Sequence, residues 1–166
     1  SPGCWPDCDM LPLGRLRLNK QKFEEVSDWT QLTETEQVTM MSLWCIFRSP
    51  LMISSEMRDN DEFTLQLLTN REILEMHRFG EGAHQVYRTE ETCAWRSVDT
   101  RDGGTYVALF NLSDQQREVS ACWEELGLSG PHAARDLWAH QDAGVLEGRV
   151  AAVLPPHGSA VYKLEK

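Results

Sequence analysis

The chain has 166 residues, enough for one domain or two small ones. Hydrophobic residues make up 41% and charged residues 25%, a globular balance that excludes wholesale disorder. The formal net charge of −10 repels phosphate backbones and excludes nucleic acid as an expected partner, whereas a neutral ligand such as a sugar is indifferent to it.

No apolar run approaches the roughly 18 residues that span a bilayer, so no membrane partner is expected. The start, Ser1-Pro2-Gly3-Cys4-Trp5, has neither a basic n-region nor an apolar h-region. A Trp-Pro-Asp motif this close to the start predicts that something lies upstream. The five cysteines, Cys4, Cys8, Cys45, Cys93 and Cys122, are odd in number and scattered. They predict free thiols in a reducing compartment, the cytoplasm, rather than a disulfide framework. Cys4 and Cys8 have the spacing of half a metal site. No histidine or second close cysteine pair completes it, so no metal and no other cofactor is expected.

In chain order, Thr33-Glu34-Thr35-Glu36 reads as a capping box. The helix it opens carries Val38, Met41, Trp44, Cys45 and Phe47 at helical spacing, and Pro50 should stop it. Leu51-Met52-Ile53-Ser54 predicts a short buried strand. Asp59-Asn60-Asp61-Glu62 suits a helix N-terminus, with Phe63, Leu65, Leu67 and Leu68 as its apolar positions. Thr69-Asn70-Arg71-Glu72 reads as a second capping box, leading into Ile73, Leu74 and Met76. Strand and helix alternate, the grammar of a parallel α/β layer.

Gly80-Glu81-Gly82 breaks this pattern and the period changes to two. Val86-Tyr87-Arg88, Cys93-Ala94-Trp95-Arg96-Ser97-Val98 and Tyr106-Val107-Ala108-Leu109-Phe110 read as strands. So do Arg117-Glu118-Val119-Ser120, Asp136-Leu137-Trp138, Arg149-Val150-Ala151-Ala152-Val153-Leu154 and Ala160-Val161-Tyr162-Lys163-Leu164. Asp102-Gly103-Gly104 is a hairpin-type turn. Short strands with frequent turns predict an antiparallel β-sandwich. The boundary falls near residues 78–84, giving a piece over residues 1–80 and a sandwich over residues 81–166.

Chemistry concentrates at the start. Asp7 and Asp9 can accept hydrogen bonds from sugar hydroxyls, and Trp5 can offer a flat apolar face to a sugar ring. On spacing alone the two carboxylates read rather as turn caps, a role Asp fills well. Trp5-Pro6-Asp7-Cys8-Asp9-Met10-Leu11-Pro12-Leu13-Gly14 is similar to the Trp-Asn/Pro-Asp-Pro/Ala-Asp-Met-Leu signature of glycoside hydrolase family 27, the α-galactosidases and α-N-acetylgalactosaminidases. Leu32-Thr33 through Glu36-Gln37, Ser42-Leu43-Trp44, Arg48-Ser49-Pro50-Leu51-Met52-Ile53 and Leu67-Leu68-Thr69-Asn70 resemble later family segments. Tyr106-Val107-Ala108-Leu109-Phe110-Asn111-Leu112 and Leu154-Pro155-Pro156-His157-Gly158-Ser159 resemble its C-terminal sandwich. The likeness covers nearly the whole chain.

The resemblance implies a fold of α/β plus all-β class: the last two β/α units of a TIM barrel, then an antiparallel sandwich. It implies retaining chemistry, with a nucleophile and an acid/base Asp roughly 5 Å apart. Both precede the motif in the family, so no catalytic residue is expected in this chain. Asp9 and Met10 map to sugar-binding positions; Asp7, with Trp5, maps to support of the loop. The implied substrates are terminal α-linked galactosides, and the implied partner is a missing N-terminal barrel portion or a second copy. Two departures stand out. Cys8 replaces Pro or Ala, and Glu75-Met76-His77-Arg78-Phe79 replaces a Val-Asn-Gln-Asp ending, which bears on how barrel piece and sandwich meet.

Rival readings keep part of this. One is a non-catalytic carbohydrate-binding or structural sandwich module. Another is a related α-glycosidase, an α-N-acetylgalactosaminidase or isomaltose-releasing enzyme. His140, Asp142, His157 and Ser159 form no nucleophile-elbow pattern and read as turn residues. Asn111-Leu112-Ser113 is a glycosylation sequon. Trp95, Trp123 and Trp138 read as core, with a sugar-binding strip as the alternative.

Overall fold

The structure is a computed structural model, and it describes residues 5–17 and 28–165. Helix α1 spans Glu34–Ile46. Its capping box forms as predicted: the Thr33 hydroxyl accepts from the Glu36 N–H at 3.2 Å, and the Glu36 carboxylate accepts from the Thr33 N–H at 2.8 Å. Helix α2 spans Glu62–Thr69, and Asp61 caps it by accepting from the Thr64 N–H at 2.7 Å.

Helix α3, Arg71–Phe79, departs from expectation at its start. Asn70, not Thr69, is the cap, and its side-chain oxygen accepts from the N–H groups of Glu72 and Ile73 at 3.0 and 3.2 Å. Thr69 is still the last residue of α2, where its hydroxyl donates to the Leu65 carbonyl at 2.6 Å. Asn70 alone sits in an extended conformation between two helices, so only its side chain can turn back onto the orphan donors.

The buried strand expected over residues 51–54 is reduced to one parallel bridge, Leu11↔Ile53. Leu11 donates to the Met52 carbonyl at 2.7 Å and accepts from the Ser54 N–H at 3.1 Å. Leu11 is fully buried, yet Met52 is 43% exposed. Among the described residues no further strand flanks this pair, and a two-membered parallel ladder has little to extend it.

Helix gives way to strand at Gly80, and the backbone packs tightly there. A Cβ at Gly80 would lie 2.6 Å from the Met76 carbonyl oxygen and 2.9 Å from the Ser97 hydroxyl. The strands are β1 Gly80–Arg88, β2 Thr92–Asp99, β3 Thr105–Asn111, β4 Arg117–Cys122, β5 Pro131–Asp136, β6 Gln141–Glu147, β7 Arg149–Leu154 and β8 Ser159–Leu164. One sheet has six strands in the order β1-β2-β3-β8-β5-β6, and β4 pairs with β7 in a second sheet. Every pairing between these strands is antiparallel. The predicted antiparallel sandwich is therefore observed.

Two strand assignments change. Of residues 136–138 only the first is strand: β5 ends at Asp136, whose carboxylate accepts from the N–H groups of Trp138 and Ala139 at 2.9 and 3.0 Å and turns the chain. Strand β6 was not predicted. It is an edge strand, exposed at every position but Leu146, so it lacks an alternating apolar face. A one-turn helix α4, Trp123–Leu126, also went unpredicted and follows β4 directly.

The six-stranded sheet is the middle of three layers. Strand β3 is buried at all seven positions because both its faces are covered. Tyr106, Ala108 and Phe110 join Met41, Cys45 and Ile46 of α1 and Ile73 and Met76 of α3 in one apolar core. Val107 and Leu109 point the other way, into a second core with Val119, Ala121, Val150 and Leu154 of the smaller sheet. This alternation is the two-residue period of a strand read on both sides at once.

Candidate functional site

Residues 5–10 form an exposed turn at the edge of the helical layer. The Asp7 carboxylate accepts from the Asp9 N–H at 3.0 Å, and the Asp9 carboxylate accepts from the Met10 N–H at 2.7 Å. Asp9 has φ of +69°, a left-handed conformation that Asp tolerates better than most residues because its short side chain bonds locally. Met10 is 51% exposed beside it.

Three residues from α1 and its exit hold the turn. The Trp44 indole donates to the Asp9 carbonyl at 3.3 Å. The Ser49 hydroxyl accepts from the Cys8 N–H at 3.0 Å. The Arg48 guanidinium lies over the Trp5 ring, 4.8 Å from its centroid. On the far side the turn is fixed by the buried Leu11 and its bridge to Ile53. Backbone groups are thus pinned, while one oxygen of each carboxylate has no hydrogen bond among the described residues.

The four residues singled out from the sequence, Trp5, Asp7, Asp9 and Met10, therefore do share one turn. The turn leads into the bridge at Leu11. Trp5 has one ring face under Arg48, so at most the other is open to a ligand. The holding role of Trp44, Arg48 and Ser49 was not read from the sequence, although all three stand in the segments that carried the family resemblance.

Behind the turn runs a cavity of about 680 Å³ between α1 and strands β1 to β3. Trp5, Pro6 and Cys8 form part of its wall; Asp7, Asp9 and Met10 do not. Two carboxylates on one turn suit hydrogen bonding to hydroxyl groups. They cannot flank a scissile bond from opposite sides.

The segment Glu75-Met76-His77-Arg78-Phe79 builds the junction between layers. Met76 is fully buried. The His77 ring bonds the Ser49 carbonyl at 2.8 Å, which requires Nε2 to carry the proton. Burial lowers the His77 pKa, outweighing that hydrogen bond. Arg101 stacks on Phe79 at 4.3 Å and pairs with Glu75 at 2.9 Å. It also bonds Asp99, which is fully buried and bonded to the Tyr106 hydroxyl at 2.6 Å and to Lys163 at 2.9 Å. Burial opposes the Asp99 charge. The bonds from Arg101, Tyr106 and Lys163 outweigh it and hold the carboxyl far below its usual range. Across the layer, Arg135 of β5 makes two bonds to Glu72 of α3, at 2.8 and 2.7 Å. Those bonds, with one from His140, lower the Glu72 pKa.

The remaining candidates resolve into packing. His157 pairs with Asp114, His140 with Glu72, Asp142 with Arg135 and Ser159 with Ser42, so the four residues form no triad. Asn111 of the sequon is 1% exposed. Its amide donates to the carbonyls of Gln115, Leu154 and Pro155, and its oxygen accepts from both the N–H and hydroxyl of Ser113. The folded chain offers that nitrogen to no glycan. Trp123 is buried, and Trp95 and Trp138 pack against the helix-facing core. Cys8, Cys45, Cys93 and Cys122 are free thiols, Cys4 lies outside the described residues, and among those described no cluster is suited to a metal ion. No helix of the described residues is long and apolar enough to cross a membrane.

Comparison with known proteins gives this geometry its context. Residues 91–164 match the α-galactosidase C-terminal β-sandwich domain. Alpha-galactosidase 2 of Arabidopsis thaliana is 25% identical over 99% of this chain and 39% of its own length. The α-galactosidase of Cyamopsis tetragonoloba is 27% identical over 98% of this chain and 37% of its own. Among solved structures, a family 27 β-L-arabinopyranosidase from Geobacillus stearothermophilus superposes with a TM-score of 0.91 at 47% identity, over 99% of this chain and 38% of that one. The chain thus spans about two fifths of these relatives. With the motif, the sandwich and these relatives in agreement, the chain corresponds to the C-terminal part of a glycoside hydrolase family 27, α-galactosidase-like protein.

Proposed function

We propose that this chain serves as the C-terminal part of a retaining glycoside hydrolase that cleaves terminal α-linked galactose. Residues 1–80 are then the last two β/α units of a TIM barrel, and residues 81–166 its sandwich domain. The nucleophile and acid/base lie upstream, in the N-terminal barrel portion that is this chain's partner. Asp9 accepts a hydrogen bond from a sugar hydroxyl, Met10 packs against the ring, and Asp7 with Trp5 supports the turn. The observation that carries this reading is the turn itself: its backbone is tied to Trp44 and Ser49 while its carboxylates face outward. The parallel Leu11↔Ile53 bridge, with helix following each partner, supports the barrel assignment. An exposed free thiol at Cys8 suits a reducing, cytoplasmic setting.

A second substrate reading rests on the 47% identity to the Geobacillus β-L-arabinopyranosidase, well above the 25–27% shared with the plant α-galactosidases. β-L-Arabinopyranose is α-D-galactopyranose without its exocyclic hydroxymethyl group, so one set of hydroxyl contacts serves both sugars. In a protein carrying the upstream portion, the rates on nitrophenyl α-galactoside and nitrophenyl β-L-arabinopyranoside decide between them. In the same protein Asp9→Ala should cost about 2–4 kcal/mol in the transition state, because such charge-assisted bonds strengthen as the ring distorts. Unchanged kinetics in that variant would remove Asp9 from the pocket.

A further inference from the structure

Helix α1 ends in a way that favours glycine, yet an arginine stands there. The Arg48 N–H donates to the Cys45 carbonyl at 3.3 Å, and the Ser49 N–H reaches back to the Trp44 carbonyl at 2.9 Å. This pair of bonds is a Schellman ending, and its left-handed residue is Arg48, with φ of +63°. Glycine adopts that conformation without steric cost, whereas arginine has no short side chain to bond locally and must be held in it. The Arg48 guanidinium touches two parts of the chain that are distant in sequence. It lies over the Trp5 ring of the turn. It also donates to the Gly80 carbonyl at 3.3 Å and pairs with the Glu81 carboxylate at 3.8 Å, both at the start of β1. The next residue, Ser49, is fully buried; its hydroxyl takes the Cys8 N–H and its carbonyl takes the His77 ring.

We infer that Arg48 is a positioning residue through which strand β1 of the sandwich sets the geometry of the sugar-binding turn. The inference rests on the proposed role of Asp9 and deepens it. Among the described residues, the hydrogen bonds of Asp9 run to Asp7, Met10 and Trp44, so its aim depends on how the two ends of the turn are fixed. Leu11 fixes one end. Trp5 and Cys8 fix the other, and both are held at the exit of α1, by Arg48 and by Ser49. Helix termination alone would be served better by glycine, so the guanidinium is what the arginine adds. A turn displaced by about 1 Å misaims its acceptor and slows turnover without any change at the reacting atoms.

Arg48→Gly tests this, because it suits the left-handed helix end while removing the guanidinium. In a protein carrying the upstream portion, kcat/KM on the faster of the two nitrophenyl glycosides should fall about tenfold or more. The same substitution placed on Asp9→Ala should change it by less than about twofold, because Arg48 acts through the turn. Glu81→Ala, at an exposed position, should lower it about two- to threefold and add nothing beside Arg48→Gly. In the 166-residue chain with Arg48→Gly, hydrogen exchange over residues 5–11 should speed up about fivefold or more and stay unchanged over β3. Parent-like kinetics in Arg48→Gly beside an impaired Asp9→Ala overturns the positioning role and leaves the proposed function standing. An equal loss in both backgrounds, or faster exchange over β3 as well, assigns Arg48 to stability alone and overturns it too. Parent-like kinetics in Glu81→Ala severs the link to the sandwich. An unimpaired Asp9→Ala overturns the reading of Asp9 and the inference with it.

Discussion

The two apolar cores lie on opposite faces of one sheet and are assembled in different ways. The core between the sheets draws all its buried members from residues 94–164. The core between helices and sheet spans residues 11–161, so it joins the start of the chain to its last strand. The first could close within a sandwich alone. The second exists only if the helical piece and the sandwich fold together, and ion pairs join the two across it, Arg101 with Glu75 and Arg135 with Glu72. A chain whose halves look separable by period is therefore welded at its central sheet.

The largest effect should come from the charge cluster at that weld. Asp99→Ala leaves Arg101, Lys163 and the Tyr106 hydroxyl facing an absent carboxylate, and should cost about 3–5 kcal/mol in denaturant unfolding. Asp99→Asn should cost less, since one acceptor oxygen survives. Equal stability of Asp99→Ala and the parent chain would mean that the cluster is not formed.

Paired substitutions on neighbouring residues of β3 sharpen the comparison. Phe110→Ala opens a hole toward the helices and should cost about 3–5 kcal/mol; Leu109→Ala opens one toward the small sheet and should cost about 2–5 kcal/mol. In a welded molecule both shift one transition seen alike by helical circular dichroism and tryptophan fluorescence. If Leu109→Ala splits the transition while Phe110→Ala does not, the cores are energetically separate. Asn111→Ala, which strands the Gln115, Leu154 and Pro155 carbonyls, should cost about 1–3 kcal/mol.

The smallest predicted effect is a pH dependence. His77 has a lowered pKa because burial favours its neutral ring. Its contribution to stability is full above the ordinary imidazole value of about 6.5 and is lost as pH falls through the lowered folded value, because the unfolded chain binds the proton first. The carboxylates of Asp99, Glu72 and Glu75, also lowered, add their losses in stronger acid, below the usual carboxylate value of about 4. His77→Gln should flatten the slope of stability between pH 7 and 5, read from denaturation midpoints. An unchanged slope would place the titration elsewhere.

Much of the fold was legible because it is locally encoded. The Thr33 box, the change of period at Gly80 and the apolar run of β3 are each written within a few neighbouring residues. What escaped was set from afar. Strand β6 has no apolar face because it pairs on one side only, and the cap at Asn70 was decided by two abutting helices rather than by the Thr69 box. The site shows the same division. Its turn could be read off residues 5–10, but its anchors, Trp44, Arg48 and Ser49, arrive through the packing of α1. That β3 is covered on both faces was invisible, since alternating apolar residues on both phases look like one continuous run.

The proposed function is tested most directly by its expectation that this chain alone breaks no glycosidic bond. The measurement is turnover of nitrophenyl α-galactoside and nitrophenyl β-L-arabinopyranoside by the purified 166-residue chain. The expected result is release of nitrophenol at the rate of buffer alone, because Asp7 and Asp9 share one turn and cannot flank a glycosidic bond from opposite sides. Hydrolysis well above that background, abolished by Asp9→Ala, would contradict it and place catalysis within this chain.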